Sequence, residues 1–252
     1  MVTYLVLIVV SGVNINRMYR GVFVSENERV SVYWQSIGES WVAAIVLGAC
    51  SLLAGFRIDT DLGLGIQFFQ FNSPLILTAA VLIAAGAFAI FTALQLINLA
   101  GSNTARVQAW RQISDGANRN VALKDVGQNL LIPRSAREKD LFTLLSLSAA
   151  ICEEFTLRGV LFMVIQTMFA DLPLPLIPLI AGVIFGVAHC YQGPRGVLKT
   201  GIVGIGFGYL YLVCGSLVPG IILHFLVDFT NRFIFPDEFP LLKSGQPSHR
   251  DF

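Results

Sequence analysis

The sequence predicts an all-α fold, a polytopic transmembrane helical bundle of about six to eight membrane helices. Hydrophobic residues make up 55% of the 252 residues and charged residues only 13%, whereas a soluble domain typically carries about 25%. Several charge-poor apolar segments approach the roughly 20 residues that a spanning helix needs. So few charges cannot cover a water-facing surface, and we therefore expect an integral membrane protein with the lipid bilayer as its surroundings. The net charge of +1 and the lack of a dense Lys/Arg cluster indicate no nucleic-acid partner.

The N-terminal region, residues 1–140, contains two charge-free spans at about 40–56 and 74–100. Each is apolar all round, as lipid-embedded helices are. The preceding apolar run at 2–10 is too short to span, and we expect an interfacial or incomplete helix there.

The segment 101–140 is polar and rich in Arg and Lys. The positive-inside rule therefore places it in the cytoplasm. Segment 14–40 lies on the same side by this scheme, because two spans separate the two segments.

Residues 141–235 are predicted to form the membrane core, and residues 236–252 a polar tail. Four spans are expected in the core, at about 141–170, 174–190, 197–213 and 217–235. The fourth and fifth spans of the chain each carry two glycines four residues apart, a spacing that lets helix backbones approach closely. These glycines are Gly182, Gly186, Gly204 and Gly208.

The ionisable side chains within the predicted spans are all in this core. A charge at the bilayer centre costs about 2.5–3.5 kcal/mol even on the lenient insertion scale, so such groups must face one another or a water-filled cavity, and they mark function by default. The candidate site residues among them are Glu153, Glu154, Arg158, His189, His224, Asp228 and Arg232.

Spacing along each helix indicates which groups share a face. Glu154 precedes Arg158 by four residues, the favourable order for an ion pair on one helix. Adjacent Glu153 points about 100° away from Glu154, so one acid can pair with the arginine while the other faces the cavity. His224 and Asp228 are also four residues apart and share a face.

These residue types suit hydrolysis. A partly desolvated carboxylate beside a second carboxylate is a suitable general base. A neutral imidazole can orient or deprotonate a water, and a second imidazole can stabilise an oxyanion. Cleaving a peptide bond within a membrane needs these three roles and access for water.

Three motifs in order resemble the CPBP family, the CAAX proteases and bacteriocin-processing enzymes that are also called Abi proteins. Residues 153–158 (EEFTLR) fit EExxxR, residues 185–189 (FGVAH) fit FxxxH, and residues 224–228 (HFLVD) fit HxxxN/D. The resemblance covers roughly residues 140–235. It implies an intramembrane endopeptidase that acts on a peptide or protein substrate at the membrane, with prenylated CAAX tails, bacteriocin leaders and other short peptides all open.

The resemblance also implies roles for single residues. Glu153 would activate water together with His189, and His224 with Asp228 would form the oxyanion pocket. The family often has Asn at the last position, whereas Asp228 can donate only when protonated. Asp228 could instead hold the ring of His224 or pair with Arg232. Three supporting residues would hold or shape the site: Glu154, Arg158 and Phe185.

No cofactor is required by this interpretation. A zinc site built from Glu153, His189 and His224 is conceivable, since His and carboxylate are ordinary zinc ligands, but we assign no metal and favour water activation without one. Two other functions stay open. Buried acids and histidines also relay protons in transporters, and a non-catalytic immunity or scaffold protein could keep the same fold.

Overall fold

The computed structural model describes residues 25–59, 61–64, 74–119 and 132–237, and these residues are helical apart from short connections. The prediction of an all-α membrane bundle is confirmed for them. The predicted interfacial helix at 2–10 and nearly all of the predicted tail at 236–252 lie outside the described residues. The α-helices are α1 (Glu26–Leu53), α2 (Leu75–Gly101), α3 (Asn103–Arg119), α4 (Ala136–Glu154), α5 (Leu161–Met168), α6 (Ile177–Ala188), α7 (Gly193–Cys214) and α8 (Val218–Thr230).

Three of these helices, α1, α2 and α7, are long and apolar enough to cross a membrane. Large apolar side chains on the outside of the bundle, such as Leu53, Leu75 and Ile76, are more than 80% exposed. So large an exposed apolar surface, on helices of spanning length, is typical of a protein that faces lipid. Helices α6 and α8 are shorter than the spans predicted at 174–190 and 217–235, because the ends of both ranges form short 3-10 turns or irregular chain.

The first described helix begins at Glu26, so it extends well before the span predicted from about residue 40. Ser25 caps it in a reciprocal capping box with Glu28. Arg29 does not end the helix because its Nε donates to Glu138 Oε1 across 2.7 Å and both side chains are buried. This ion pair joins the segments 14–40 and 101–140, which the predicted topology places on one side.

Helices α4 and α8 run antiparallel. Just beyond the end of α8, Arg232 donates to Asp140 Oδ1 and to the Lys139 carbonyl oxygen, both at 2.9 Å, and also to Thr143 Oγ1. Arg232 therefore lies at the end of the bundle near the start of α4 and not among the intramembrane charges. The predicted alternative, an Arg232 pair with Asp228, was wrong because the arginine is occupied by these partners.

Close packing of α6 on α7 depends on the predicted glycines. A Cβ at Gly182 would lie 2.8 Å from the backbone nitrogen of Ile205, and one at Gly186 would lie 2.7 Å from the Val197 carbonyl oxygen. Side chains at these positions would force the helices apart. The prediction of small-residue packing is confirmed.

Part of the polar segment 101–140 is helical. Helix α3 occupies its first half, and Trp110 of α3 packs with Ile132 and Ile234 in a small apolar cluster. This cluster joins α3 to the region just before α4 and to the chain beyond α8, at the end of the bundle that carries Arg232.

Candidate active site

The EExxxR motif lies across a change in helix type. Helix α4 ends at Glu154, and residues Phe155–Val160 form a π-helical turn in which the Leu161 N–H donates to the Thr156 carbonyl oxygen. Single π-turns inside α-helices are rare and occur frequently at functional sites. Arg158 lies within this turn, and its Nη1 donates to Glu154 Oε1 across 3.0 Å. The predicted ion pair between these two residues is confirmed.

Arg158 is completely buried and connects three parts of the bundle. Its Nη2 donates to the Gly204 carbonyl oxygen across 2.9 Å, on α7. Its guanidinium carbon lies 4.9 Å from the ring centre of Phe185 and 5.8 Å from that of Phe207. Stacking of a desolvated arginine on aromatic faces is favourable, so the charge is held by one carboxylate, one carbonyl and two rings.

The same carboxylate also binds His224. The Nδ1 atom of His224 lies 2.9 Å from Glu154 Oε1, and both side chains are buried. Arginine is always charged, so its partner Glu154 is ionised and can only accept hydrogen bonds. Nδ1 of His224 therefore carries the hydrogen and donates it to Glu154.

The other ring nitrogen of His224 faces two carboxylates. Nε2 lies 3.6 Å from Asp228 Oδ2 and 3.8 Å from Glu153 Oε2, distances too long for a direct hydrogen bond. The side chains of Glu153 and Asp228 are about one-third exposed, at 30% and 32%. Oε2 of Glu153 is buried, and among the described residues it has no hydrogen-bond partner. The site therefore opens on the Nε2 side of His224.

His189 joins this cluster through Phe185. It lies just after α6, and its Nδ1 is 2.9 Å from the Phe185 carbonyl oxygen. A carbonyl only accepts, so Nδ1 donates, and Nε2 of a neutral His189 ring is then an acceptor. The Phe185 ring centre lies 4.4 Å from that of His189 and 5.9 Å from that of His224, so this ring packs against both imidazoles.

The residues of the conceivable zinc site do not fit a metal well. Within the part of the chain that the structure describes, no group of three His, Cys, Asp or Glu side chains is arranged to hold a metal ion. Phe185 packs against both His189 and His224, and one nitrogen of His224 is already bonded to Glu154. We therefore derive no step through a metal.

Three neighbours of the site were not predicted as site residues. Phe207 packs on His224 with ring centres 5.8 Å apart, and Gly204 supplies the carbonyl oxygen for Arg158. A Cβ at Gly220 would lie 3.1 Å from Glu154 Oε2. The absence of a side chain at Gly220 therefore leaves room for the Glu154 carboxylate. Gly204 and Phe207 belong to the glycine-rich run of the fifth span, whose spacing predicted close helix packing but no part in the site.

Comparison with known proteins supports a family for the second half of the chain. Residues 140–230 match the model of a family described as Rce1-like, type II CAAX prenyl endopeptidase. No curated protein and no solved structure matches the chain. The matched range contains all three motifs from Glu153 to Asp228 and supports a CAAX-type protease activity in general. The resemblance to the CPBP family is thereby confirmed: over residues 140–230 this chain is similar to the type II CAAX prenyl endopeptidases.

Proposed function

We propose that the protein is an intramembrane endopeptidase in which Glu153 activates the attacking water. One observation carries this assignment. Oε2 of Glu153 is the only buried side-chain oxygen without a hydrogen-bond partner among the described residues, and the other unpaired atom of the cluster, Arg158 Nε, is a donor. The Glu153 oxygen also lies on the partly exposed side of His224. A general base needs a free lone pair within reach of a water.

In the proposed step, Glu153 accepts a proton from water while the water oxygen bonds to the substrate carbonyl carbon. The carbonyl π electrons move to its oxygen and give a tetrahedral oxyanion. The intermediate collapses by breaking the C–N bond, and the proton held by Glu153 passes to the departing amine. Water is the only co-reactant, and no electron acceptor is needed.

His224 is proposed to stabilise the oxyanion through Nε2. Because Nδ1 already donates to Glu154, Nε2 carries a hydrogen only in the doubly protonated ring. An oxyanion hole requires donors aimed at the developing charge. Glu154 and Arg158 are positioning residues in this scheme, since they fix the ring and the donor direction without touching the substrate.

Asp228 and His189 complete the proposal. Asp228 lies beside Nε2 of His224, where its carboxylate favours the donor form of that ring and needs no proton of its own. His189, with Nδ1 bonded to a backbone carbonyl, presents Nε2 as an acceptor that can help Glu153 orient the water. This arrangement uses no metal ion.

The substrate is proposed to be a peptide or protein tail at the membrane surface, in the plasma membrane of a prokaryote. The matched family, by its description, acts on prenylated CAAX tails. Such tails therefore come first in a substrate panel, before leader peptides and short unmodified peptides.

The experiment is cleavage of a fluorogenic peptide panel by purified protein in lipid–detergent micelles, with products identified by mass spectrometry. Wild type should release product and Glu153→Gln should not. Glu39→Gln is a matched control because Glu39 bonds Gln35 on α1. Lack of cleavage of every peptide, combined with proton uptake by the protein in liposomes, would favour the transporter.

A further inference from the structure

The end of the bundle that is predicted to face the cytoplasm contains a second polar cluster. The proposed chemistry does not use it. We define the Trp110 cluster as Arg106, Trp110 and Arg134. The indole ring of Trp110 lies against Arg134, whose guanidinium carbon is 5.6 Å from the ring centre. Arg106 precedes Trp110 by four residues on α3 and thus shares its face.

All three side chains hold a buried N–H without a hydrogen-bond partner among the described residues: Trp110 Nε1, Arg106 Nε and Arg134 Nε. Trp110 is only 5% exposed. A buried donor left unpaired costs about 1–3 kcal/mol, and more when the group is charged. Three unpaired donors on neighbouring side chains at one end of the bundle indicate that an acceptor is missing there.

The cluster is also short of negative charge. The carboxylate of Glu138 already accepts from Arg29 Nε and from the backbone N–H groups of Arg134 and Ser135. The Arg134 guanidinium forms no salt bridge among the residues that the structure describes, although the charge of nearby Glu138 attracts it. Burial lowers the pKa of Arg134, and the neighbouring charge of Arg29 lowers it further.

Asp237 does not correct this imbalance. It is shared by Arg106, at 2.9 Å, and Lys139, at 3.5 Å. One carboxylate thus pairs with two cations. Arg134 is a third cation in this region and forms no salt bridge with it. An anion with several acceptor oxygens would satisfy the unpaired donors and reduce the excess positive charge together.

The position of the cluster indicates where this anion comes from. Leu99, in the last turn of the membrane span α2, packs in the same apolar group as Trp110. The cluster therefore lies at the depth where a span ends and lipid headgroups begin. Tryptophan is enriched at that depth, and basic pockets between helices on the cytoplasmic side bind anionic headgroups.

We propose that Arg106, Trp110 and Arg134 bind a phosphate group, carried by an anionic phospholipid, at the end of the bundle. The guanidinium groups provide charge and paired donors, and the indole N–H fixes one oxygen. This site is separate from the Glu153 site and does not depend on the protease assignment.

The test is the melting temperature of the full chain in phosphatidylcholine–detergent micelles, titrated with phosphatidylglycerol or with inorganic phosphate. Wild type should show a saturable rise with phosphatidylglycerol. In Arg134→Gln the apparent Kd should rise at least about tenfold, because hydrogen bonds to a charged group are lost. Trp110→Phe keeps the ring packing and should weaken binding less.

Arg57→Gln is the control, because Arg57 is an exposed cation that pairs with Asp59 in the α1–α2 loop. It should respond to the lipid as wild type does. If inorganic phosphate raises the melting temperature as much as phosphatidylglycerol does, the cluster binds phosphate. The proposal that a phospholipid carries that phosphate would then be overturned. Unchanged lipid binding in both Arg134→Gln and Trp110→Phe would overturn the proposal. So would a rise in peptide KM in Arg134→Gln with normal lipid binding, since the site would then bind the substrate tail.

Discussion

His224 Nδ1 lies 2.9 Å from Oε1 of Glu154, the same oxygen that accepts from Arg158 Nη1 at 3.0 Å. One carboxylate oxygen thus holds a histidine from α8 and an arginine from the π-turn. The bond fixes which nitrogen of His224 is free to act. A hydrogen bond of this kind to one ring nitrogen orients a functional histidine and determines which nitrogen carries the proton.

Removing the base should stop the chemistry and spare the fold. Glu153→Gln keeps the size of the side chain but cannot accept a proton from water. We expect proteolysis to fall at least about 100-fold, within the usual range for loss of a general base. Initial rates on the best panel peptide, with a melting curve as the folding check, measure this. Near-normal turnover in this variant would show that Glu153 is not the general base.

Changing the positioning carboxylate should change the pH dependence as well as the rate. Glu154→Gln removes the negative charge beside Nδ1 of His224 and so disfavours the doubly protonated ring. We expect kcat to fall and the alkaline decline of activity to begin at a lower pH. A pH–rate profile checks this. A lower rate with an unshifted profile would make Glu154 structural only.

Loss of the buried arginine should destabilise the bundle. Arg158→Ala leaves Glu154 buried without its cation, which costs roughly 3–5 kcal/mol when a buried pair loses one member. Activity should be lost together with stability, as measured by denaturant or thermal unfolding in micelles. Arg57→Ala breaks only an exposed pair and should melt almost normally. An Arg158→Ala protein that is inactive yet as stable as wild type would give Arg158 a direct part in catalysis.

Water activation by Glu153 without a metal and a zinc-dependent mechanism predict different metal contents for the purified protein. With water activated by Glu153, chelators should not abolish activity, and elemental analysis should find no stoichiometric zinc. His224→Gln keeps a donor but is a poor zinc ligand, so it should retain a small measurable activity. Stoichiometric zinc that disappears together with activity in this variant would favour the metal mechanism.

Helix packing behind the site should be sensitive to a single methyl group. Gly182→Ala places a Cβ 2.8 Å from the Ile205 backbone nitrogen, which cannot move without α7. We expect a loss of about 1–3 kcal/mol, as for other overpacked positions. Gly206→Ala on α7 is the control, because a Cβ there has nothing within 4 Å. Equal melting temperatures for the two variants would contradict the packing argument.

Features that depend on neighbours along one helix could be predicted from the sequence. Lack of charge identified the membrane bundle, spacing of four residues identified the Glu154–Arg158 pair, and the glycines at 182 and 186 identified a close helix contact. Each follows from the 3.6-residue period of a helix or from the cost of charge in lipid. Helix ends were less well predicted, because Arg29 is neutralised by the distant Glu138 and so extends α1.

Only the tertiary structure decided which faces meet. Nothing in the local sequence places His224 against Glu154 or packs the Phe185 ring against both imidazoles. Nor does it show that Arg232 pairs with Asp140 and not with Asp228. The π-turn at 155–160 is likewise invisible in the motif, although it sets the direction of Arg158. Composition and spacing determined that polar groups must gather inside an apolar bundle. The rotation and contact of packed helices, which depend on side chains far apart in the chain, decided which of them bond.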